Sequence, residues 1–142
     1  MTYIYTDACY RSCAPNGFIE VRDTRIRLEN PHGKKTIHRF YQDMTEAYRQ
    51  DGRFLDHPCS YERELRNNGF VNVIEHVYLL PLSGEEPHDL RGQVVQNWAR
   101  GLETYSLELM TTRLEKRHSE ILLGCAWARR DIRTGVGGFL EM

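Results

Sequence analysis

The chain has 142 residues, with 19 basic and 20 acidic side chains and a formal net charge of −1 at pH 7. This length favours a single domain covering residues 1–142. The balanced charge argues against a nucleic-acid-binding protein, which needs a basic face for phosphates. No apolar run approaches the roughly 20 residues that span a bilayer, and no basic segment leads into an apolar one at the N-terminus. We therefore expect a cytoplasmic protein with no membrane or nucleic-acid partner.

The cysteines and histidines indicate no metal site. Cys9 and Cys13 lie one helical turn apart, Cys59 and Cys125 stand alone, and the chain has no CxxC pair. The histidines show no HxH or HxxxH spacing, whereas zinc sites need paired ligands. Buried free thiols in a reducing compartment are the simpler interpretation.

The first half of the chain predicts helices on either side of a strand. Residues 2–13 can form a helix that ends before Pro15, and residues 18–28 alternate as one strand, bent near Thr24 or followed by an extended arm. Residues 34–51 place apolar side chains at spacings of three and four, which predicts an amphipathic helix. A short helix follows at 60–67.

The second half predicts one strong strand and two helices. Residues 70–82 are rich in β-branched side chains, so we predict a strand that is at least half buried. Residues 90–114 predict one long helix and 118–130 another, while the tail at 135–140 forms either a short strand or a frayed end. The whole is an α+β fold, mostly helical with a small sheet.

Three segments resemble one enzyme family. Ala14–Asp23 is a turn that opens an apolar strand, Leu65–Val73 is a helix end, a small turn, an aromatic residue and an alternating strand, and Trp98–Leu109 lies in the long helix. Together they resemble the C-terminal half of fungal class I S-adenosylmethionine (SAM) methyltransferases, of the secondary-metabolism and velvet-linked type. The similarity covers residues 5–130.

The SAM-binding half of that family has no counterpart in this sequence. In the family, a glycine-rich loop between a strand and a helix places backbone amides against the cofactor. No such unit precedes Ala14, and the GxG string in Gly135–Gly138 follows a predicted helix without leading into another. The resemblance therefore implies a truncated Rossmann-like domain that uses no cofactor.

The resemblance also implies an incomplete sheet. In the family's sheet the last strand lies between the strands that correspond to 18–24 and 70–80, and here the tail is short and glycine-rich. Both strands would then lack a neighbour, and exposed strand edges pair with other chains. We therefore predict a homodimer that completes the domain, with sheet sharing across its two-fold axis.

Aromatic side chains on the helices predict a substrate pocket. In intact relatives the helices equivalent to 34–51 and 90–114 cover a small-molecule substrate, and an apolar cavity with a few polar groups is the usual form of such a pocket. The alternative is that these are ordinary core aromatics. The predicted substrate-binding residues are Tyr48, Trp98, Leu102, Tyr105 and Met110.

Three residues are candidates for catalysis. His38 stands beside the apolar face of the helix and can exchange protons near neutral pH, unless it is a plain exposed histidine. Tyr41 belongs to the same aromatic cluster. Asp23 lies at the predicted end of the first strand, where α/β sheets present functional groups, unless it is a solvated carboxylate or a partner of Arg25.

Three functions follow from the resemblance. The first is a cofactor-independent enzyme of fungal secondary metabolism that cyclises or rearranges a hydrophobic intermediate, as in an intramolecular Diels–Alder reaction. The second is a catalytically inactive methyltransferase-like module that binds or regulates a partner. The third is a methyltransferase fragment whose SAM site comes from a second chain.

Overall fold

The sheet and helices were located in a computed structural model, which describes residues 3–30, 35–82 and 90–142. The helices are α1 (Tyr3–Ser12), α2 (Thr36–Gln50), α3 (Tyr61–Asn67), α4 (Leu90–Arg100), α5 (Leu102–Leu114) and α6 (His118–Arg133). The strands are β1 (Arg25–Leu28), β2 (Leu79–Pro81) and β3 (Gly138–Glu141), and a 3₁₀ helix, His57–Ser60, precedes α3. The predicted α+β class, mostly helical with a small sheet, is confirmed.

Three helices form the core. Because α2 places its apolar residues three or four positions apart, one face is buried against α5 and α6. Helix α6 comes close to α2 at Gly124, where an added Cβ would lie 2.9 Å from the Phe40 ring. The fully buried side chains include Ile37, Leu102, Met110, Ile121, Cys125 and Leu140.

The expectation that the cysteines are buried is wrong for most of them. Cys125 is buried, but Cys9 and Cys59 are exposed and Cys13 is only partly buried.

The sheet has the order β1-β3-β2, with β3 antiparallel to both neighbours. The tail is therefore a strand, the first of the two predicted alternatives. The expectation that β1 and β2 lack a neighbour is wrong, because the four residues of β3 supply an inner partner to each of them. Leu140 buries its side chain from this central strand.

Both predicted outer strands are much shorter than the sequence pattern indicated. Only Arg25–Leu28 of the predicted strand 18–28 and only Leu79–Pro81 of 70–82 lie opposite β3, because β3 has just four residues. Backbone hydrogen bonds between Tyr78 and Met142 add one more pair, and there the partner ends. The prediction that 70–82 is half buried is wrong, since Val71 is 79% and Ile74 76% exposed.

The predicted long helix 90–114 is interrupted. Gly101 separates α4 from α5, although its N–H still donates to the carbonyls of Asn97 and Trp98. The other predicted helices appear within three residues of their expected ends, at Tyr3–Ser12, Thr36–Gln50, Tyr61–Asn67 and His118–Arg133. Among the helices of the described segments, none combines the length and apolar character that a membrane crossing requires.

Candidate functional site

A pocket of about 180 Å³ lies between the start of the sheet and the aromatic helices, partly open to solvent. Its walls come from β1 and the residue before it, from α2, α4 and α5, from the segment after α2, and from β3. The lining residues are Thr24, Arg25, Ile26, Tyr41, Met44, Tyr48, Leu55, Trp98, Tyr105 and Leu140. Four of the predicted site residues are thus brought together: Tyr41, Tyr48, Trp98 and Tyr105.

The helices position these aromatics through simple spacing. Tyr41, Met44 and Tyr48 are separated by three and four residues on α2, so their side chains leave the helix on one side. Trp98 lies on α4 near the break between α4 and α5, and Tyr105 lies on α5. The ring of Tyr105 lies across Gly101, where an added Cβ would sit 2.9 Å from its Cε2 atom. Glycine at this break therefore leaves room for the ring.

The hydroxyl of Tyr41 is already in use. It donates a hydrogen bond to the backbone carbonyl of Ile26, over a distance of 3.2 Å. A phenol is protonated at neutral pH, and burial raises the pKa of this one further above its ordinary value. Tyr41 therefore holds the outer edge of β1 against α2, and as a candidate catalytic group it has no second proton to give.

Tyr48 is a neutral wall of the pocket. The guanidinium of Arg53 sits 5.0 Å from the centre of its ring, in a cation–π arrangement. Burial raises the pKa of Tyr48, which keeps the phenol protonated. Both tyrosines of α2 thus line the pocket as uncharged groups.

Arg25 is the one charged side chain in the lining formed by the described residues. Its Nε donates to Oε2 of Glu141, and its Nη1 contacts the Sγ of Cys59. Burial is the largest single influence on this guanidinium and lowers its pKa, but the hydrogen bond to Glu141 and the charges of Cys59, Glu141 and Tyr41 together raise the pKa of Arg25 above its ordinary value. Arg27 donates to the other oxygen of the same carboxylate at 3.2 Å. Two cations therefore share one buried carboxylate at this end of the pocket.

Asp23 is not part of the pocket lining. Because β1 begins at Arg25, Asp23 precedes the strand and does not end it, which corrects its predicted position. Its carboxylate accepts hydrogen bonds from the hydroxyl of Tyr61 at 2.5 Å and from the N–H of Thr24 at 2.7 Å. Its partner is thus Tyr61, while Arg25 pairs with Glu141. We assign Asp23 to the packing of α3 against the segment before β1.

His38, Leu102 and Met110 are also absent from the lining. The exposed-histidine interpretation of His38 is wrong, since it is only 4% exposed, and neither ring nitrogen has a hydrogen-bond partner within the described structure. Leu102 and Met110 are each 1% exposed and belong to the core. They lie on the correct helix, but on the face that packs inward.

Sequence reasoning did not identify six of the lining residues. Met44 was visible as part of the apolar face of α2, but Arg25, Ile26 and Leu140 come to the site only through the pairing of β1 with β3. That pairing joins residues more than 100 positions apart, so it could not be predicted from local sequence patterns. Thr24 and Leu55 come from segments without regular structure.

No cluster of three or more potential metal ligands occurs within the described segments. Comparisons of the chain with protein-family models, with curated proteins and with solved structures found no match.

Proposed function

We propose that this chain binds a small apolar molecule in the pocket beside β1 and converts it, without a cofactor, by cyclisation or rearrangement. One observation carries the proposal: four aromatic side chains from three helices converge on a single cavity that has a guanidinium at its edge. An apolar wall with few polar groups is the form that small-molecule sites usually take.

The volume limits what can enter. The pocket's 180 Å³ is less than the roughly 300–1,000 Å³ of common ligand pockets, and close to the roughly 150 Å³ of a cavity that accepts benzene. One ring or an apolar segment of that size fits inside. The remainder of a larger substrate would lie outside, at the open side of the pocket.

The residues of the pocket suit an intramolecular reaction. A cyclisation or rearrangement moves bonds within one molecule, so no group has to be supplied or carried away. Confinement between rings favours conformers in which the reacting atoms are close, an effect of up to about 7–11 kcal/mol in the best cases. The guanidinium of Arg25 can donate to a carbonyl of the substrate and polarise it.

The sheet order supports keeping the methyltransferase resemblance in this proposal. β3 lies between β1 and β2, which is the place that the last strand takes in the sheet of that family. In the proposal the fold is Rossmann-like and its pocket is used without SAM. A cytoplasmic location belongs to the same proposal, supported by four free cysteines, which are typical of a reducing compartment.

The two tryptophans of the chain provide the test. Trp98 lines the pocket, whereas Trp127 lies on α6 outside the lining, with Arg130 over its ring. We expect small aromatic probes such as phenylacetate and phenylacetamide to shift the indole N–H resonance of Trp98 saturably and to leave that of Trp127 in place. The Trp127→Phe variant assigns the two signals.

Two results of the indole titration would contradict the proposal. Equal movement of both indole signals, or no saturation at any probe concentration, would mean that the pocket is not a binding site. If the probes do bind, product formation is the next measurement. A substrate that binds and is never converted would support binding and contradict catalysis.

A second candidate, the inactive binding module, is favoured by a separate observation. Residues 71–79 expose a run of large apolar side chains, namely Val71, Ile74, Val77, Tyr78 and Leu79. Such contiguous exposure is typical of a protein–protein contact.

A further inference from the structure

Arg25 differs from every other residue of the pocket lining in carrying a charge. It is the one charged group among the described residues that line the cavity, and its side chain is 33% exposed. The rest of the lining is uncharged, with aromatic, aliphatic, thioether or hydroxyl side chains. A ligand that fills the cavity with a ring would therefore place any substituent on that side next to a guanidinium.

The guanidinium of Arg25 has N–H groups that are not engaged in hydrogen bonds. An arginine carries five N–H donors, and Arg25 uses one at Nε for Glu141 and one at Nη1 for Cys59. The other three have no partner in the described part of the structure. A carboxylate is the group that best matches the remaining fork, because it can accept two parallel N–H bonds.

The charge balance at this end also permits an anion. Glu141 is shared between Arg25 and Arg27, so the two guanidinium groups carry one more positive charge than this carboxylate neutralises. Asp56 lies near enough to Tyr41 to contribute to its raised pKa, but it is exposed, where salt screens its field. A bound carboxylate would therefore meet an excess positive charge, and Glu141 would keep both of its arginine partners.

From these contacts we infer that the pocket selects a small carboxylic acid with an aromatic or apolar body. The carboxylate accepts from Arg25, and the body lies against Trp98, Tyr48 and Tyr105. This inference rests on the proposed function, since it specifies the ligand class of the same pocket.

The test compares phenylacetate with phenylacetamide, which has the same shape and no charge. Hydrogen bonds to charged groups contribute about 1.5–3 kcal/mol, so we expect phenylacetate to bind roughly tenfold to a hundredfold more tightly in titrations of the Trp98 indole signal. Added salt should weaken the binding of the acid and leave that of the amide nearly unchanged.

Two matched variants locate the effect. Arg25→Gln and Arg27→Gln each remove one partner of Glu141, but only Arg25 lines the pocket. We expect Arg25→Gln to abolish the preference for the acid and Arg27→Gln to retain it. If Arg25→Gln does not fold, Arg25→Lys replaces it and should reduce the preference, because an ammonium lacks the planar fork.

The outcomes separate this inference from the proposed function. Equal affinity of wild-type protein for the acid and the amide overturns the acid preference and leaves the pocket as a binding site. No effect of either probe on Trp98 overturns both. If Arg27→Gln and Arg25→Gln both lose the preference for the acid, the preference would belong to the ion-paired group of Arg25, Arg27 and Glu141 as a whole. That result would contradict direct contact of the ligand with Arg25.

Discussion

Gly101 is a single position at which the shape of the pocket can be tested. A Cβ added there would lie 2.9 Å from the Tyr105 ring, and Tyr105 is exposed enough for its ring to swing away. The backbone of Gly101, with φ −83°, accepts alanine without strain. We therefore expect Gly101→Ala to change the free energy of unfolding by less than about 1 kcal/mol.

The same change should weaken binding. Loss of one aromatic wall corresponds to roughly threefold to tenfold lower affinity for phenylacetate. Gly101→Ala should behave like Tyr105→Ala and unlike Tyr105→Phe, which keeps the ring. Wild-type affinity in Gly101→Ala would show that Tyr105 does not contribute a wall to the pocket.

Residue by residue, the sequence identified the aromatic part of the site and missed its charged part. Tyr41 and Tyr48 were predictable because a helical repeat places them on one side of α2. Arg25 was considered only as a partner for Asp23, because its real partner, Glu141, lies at the far end of the chain. The burial of His38 was not predictable, because whether one side of a helix is buried depends on which other elements pack against it.

Within the described residues, β2 is an edge strand, with β3 on one side and no strand on the other. Backbone hydrogen bonds from Tyr78 and Leu82 run inward to β3, so Leu79 and Pro81 between them point their backbone groups outward. Pro81 has no N–H to leave unpaired, as is usual on an edge strand. The opposite edge, on β1, is partly closed where Tyr41 bonds to the carbonyl of Ile26.

We propose that a second copy of the chain docks along this edge of β2 and the exposed run before it. Residues 70–81 contain one acidic residue, Glu75, and no lysine or arginine. Charged side chains, lysine above all, are a common means of keeping edges from pairing, and here they are nearly absent. This proposal places the homodimer predicted from the sequence along one edge of the sheet.

Sedimentation of wild-type protein and two variants tests the dimer. We expect Ile74→Lys, at a position 76% exposed, to yield monomer because it places a charge in the interface. Leu123→Lys puts the same charge on an exposed position of α6 and should leave the dimer intact. A monomeric wild-type protein, or dissociation by Leu123→Lys alone, would contradict this assignment.

At the level of elements, the helices were predictable, whereas the strands were predictable in their approximate place but not in their length. The apolar repeat of a helix and the residues that end it lie within the helix's own segment of sequence. Even with the break at Gly101, the apolar side of α4 and α5 was recognisable. A strand exists only where a partner lies opposite, so the β-rich pattern of 70–78 forms no strand once β3 has ended. The length of β3, and not the pattern of its neighbours, sets the size of the sheet.

The whole molecule combines a three-helix core with a small sheet, and the pocket lies where the two meet. Core residues of α2, α5 and α6 hold the helices, while the strands place Arg25 and Leu140 against the aromatic side chains. Neither layer contains the pocket alone. This arrangement explains why the sequence predicted the fold class and the aromatic cluster, but not the full lining.

The central claim is that a ligand ring occupies this meeting point, and intermolecular NOE contacts test it most directly. In isotope-filtered spectra of labelled protein with saturating phenylacetate, we predict contacts from the ring protons to Trp98, Tyr48 and the Met44 methyl group. Contacts confined to Val71, Ile74 or other surface residues, or saturable binding with no contact to Trp98, would contradict the account.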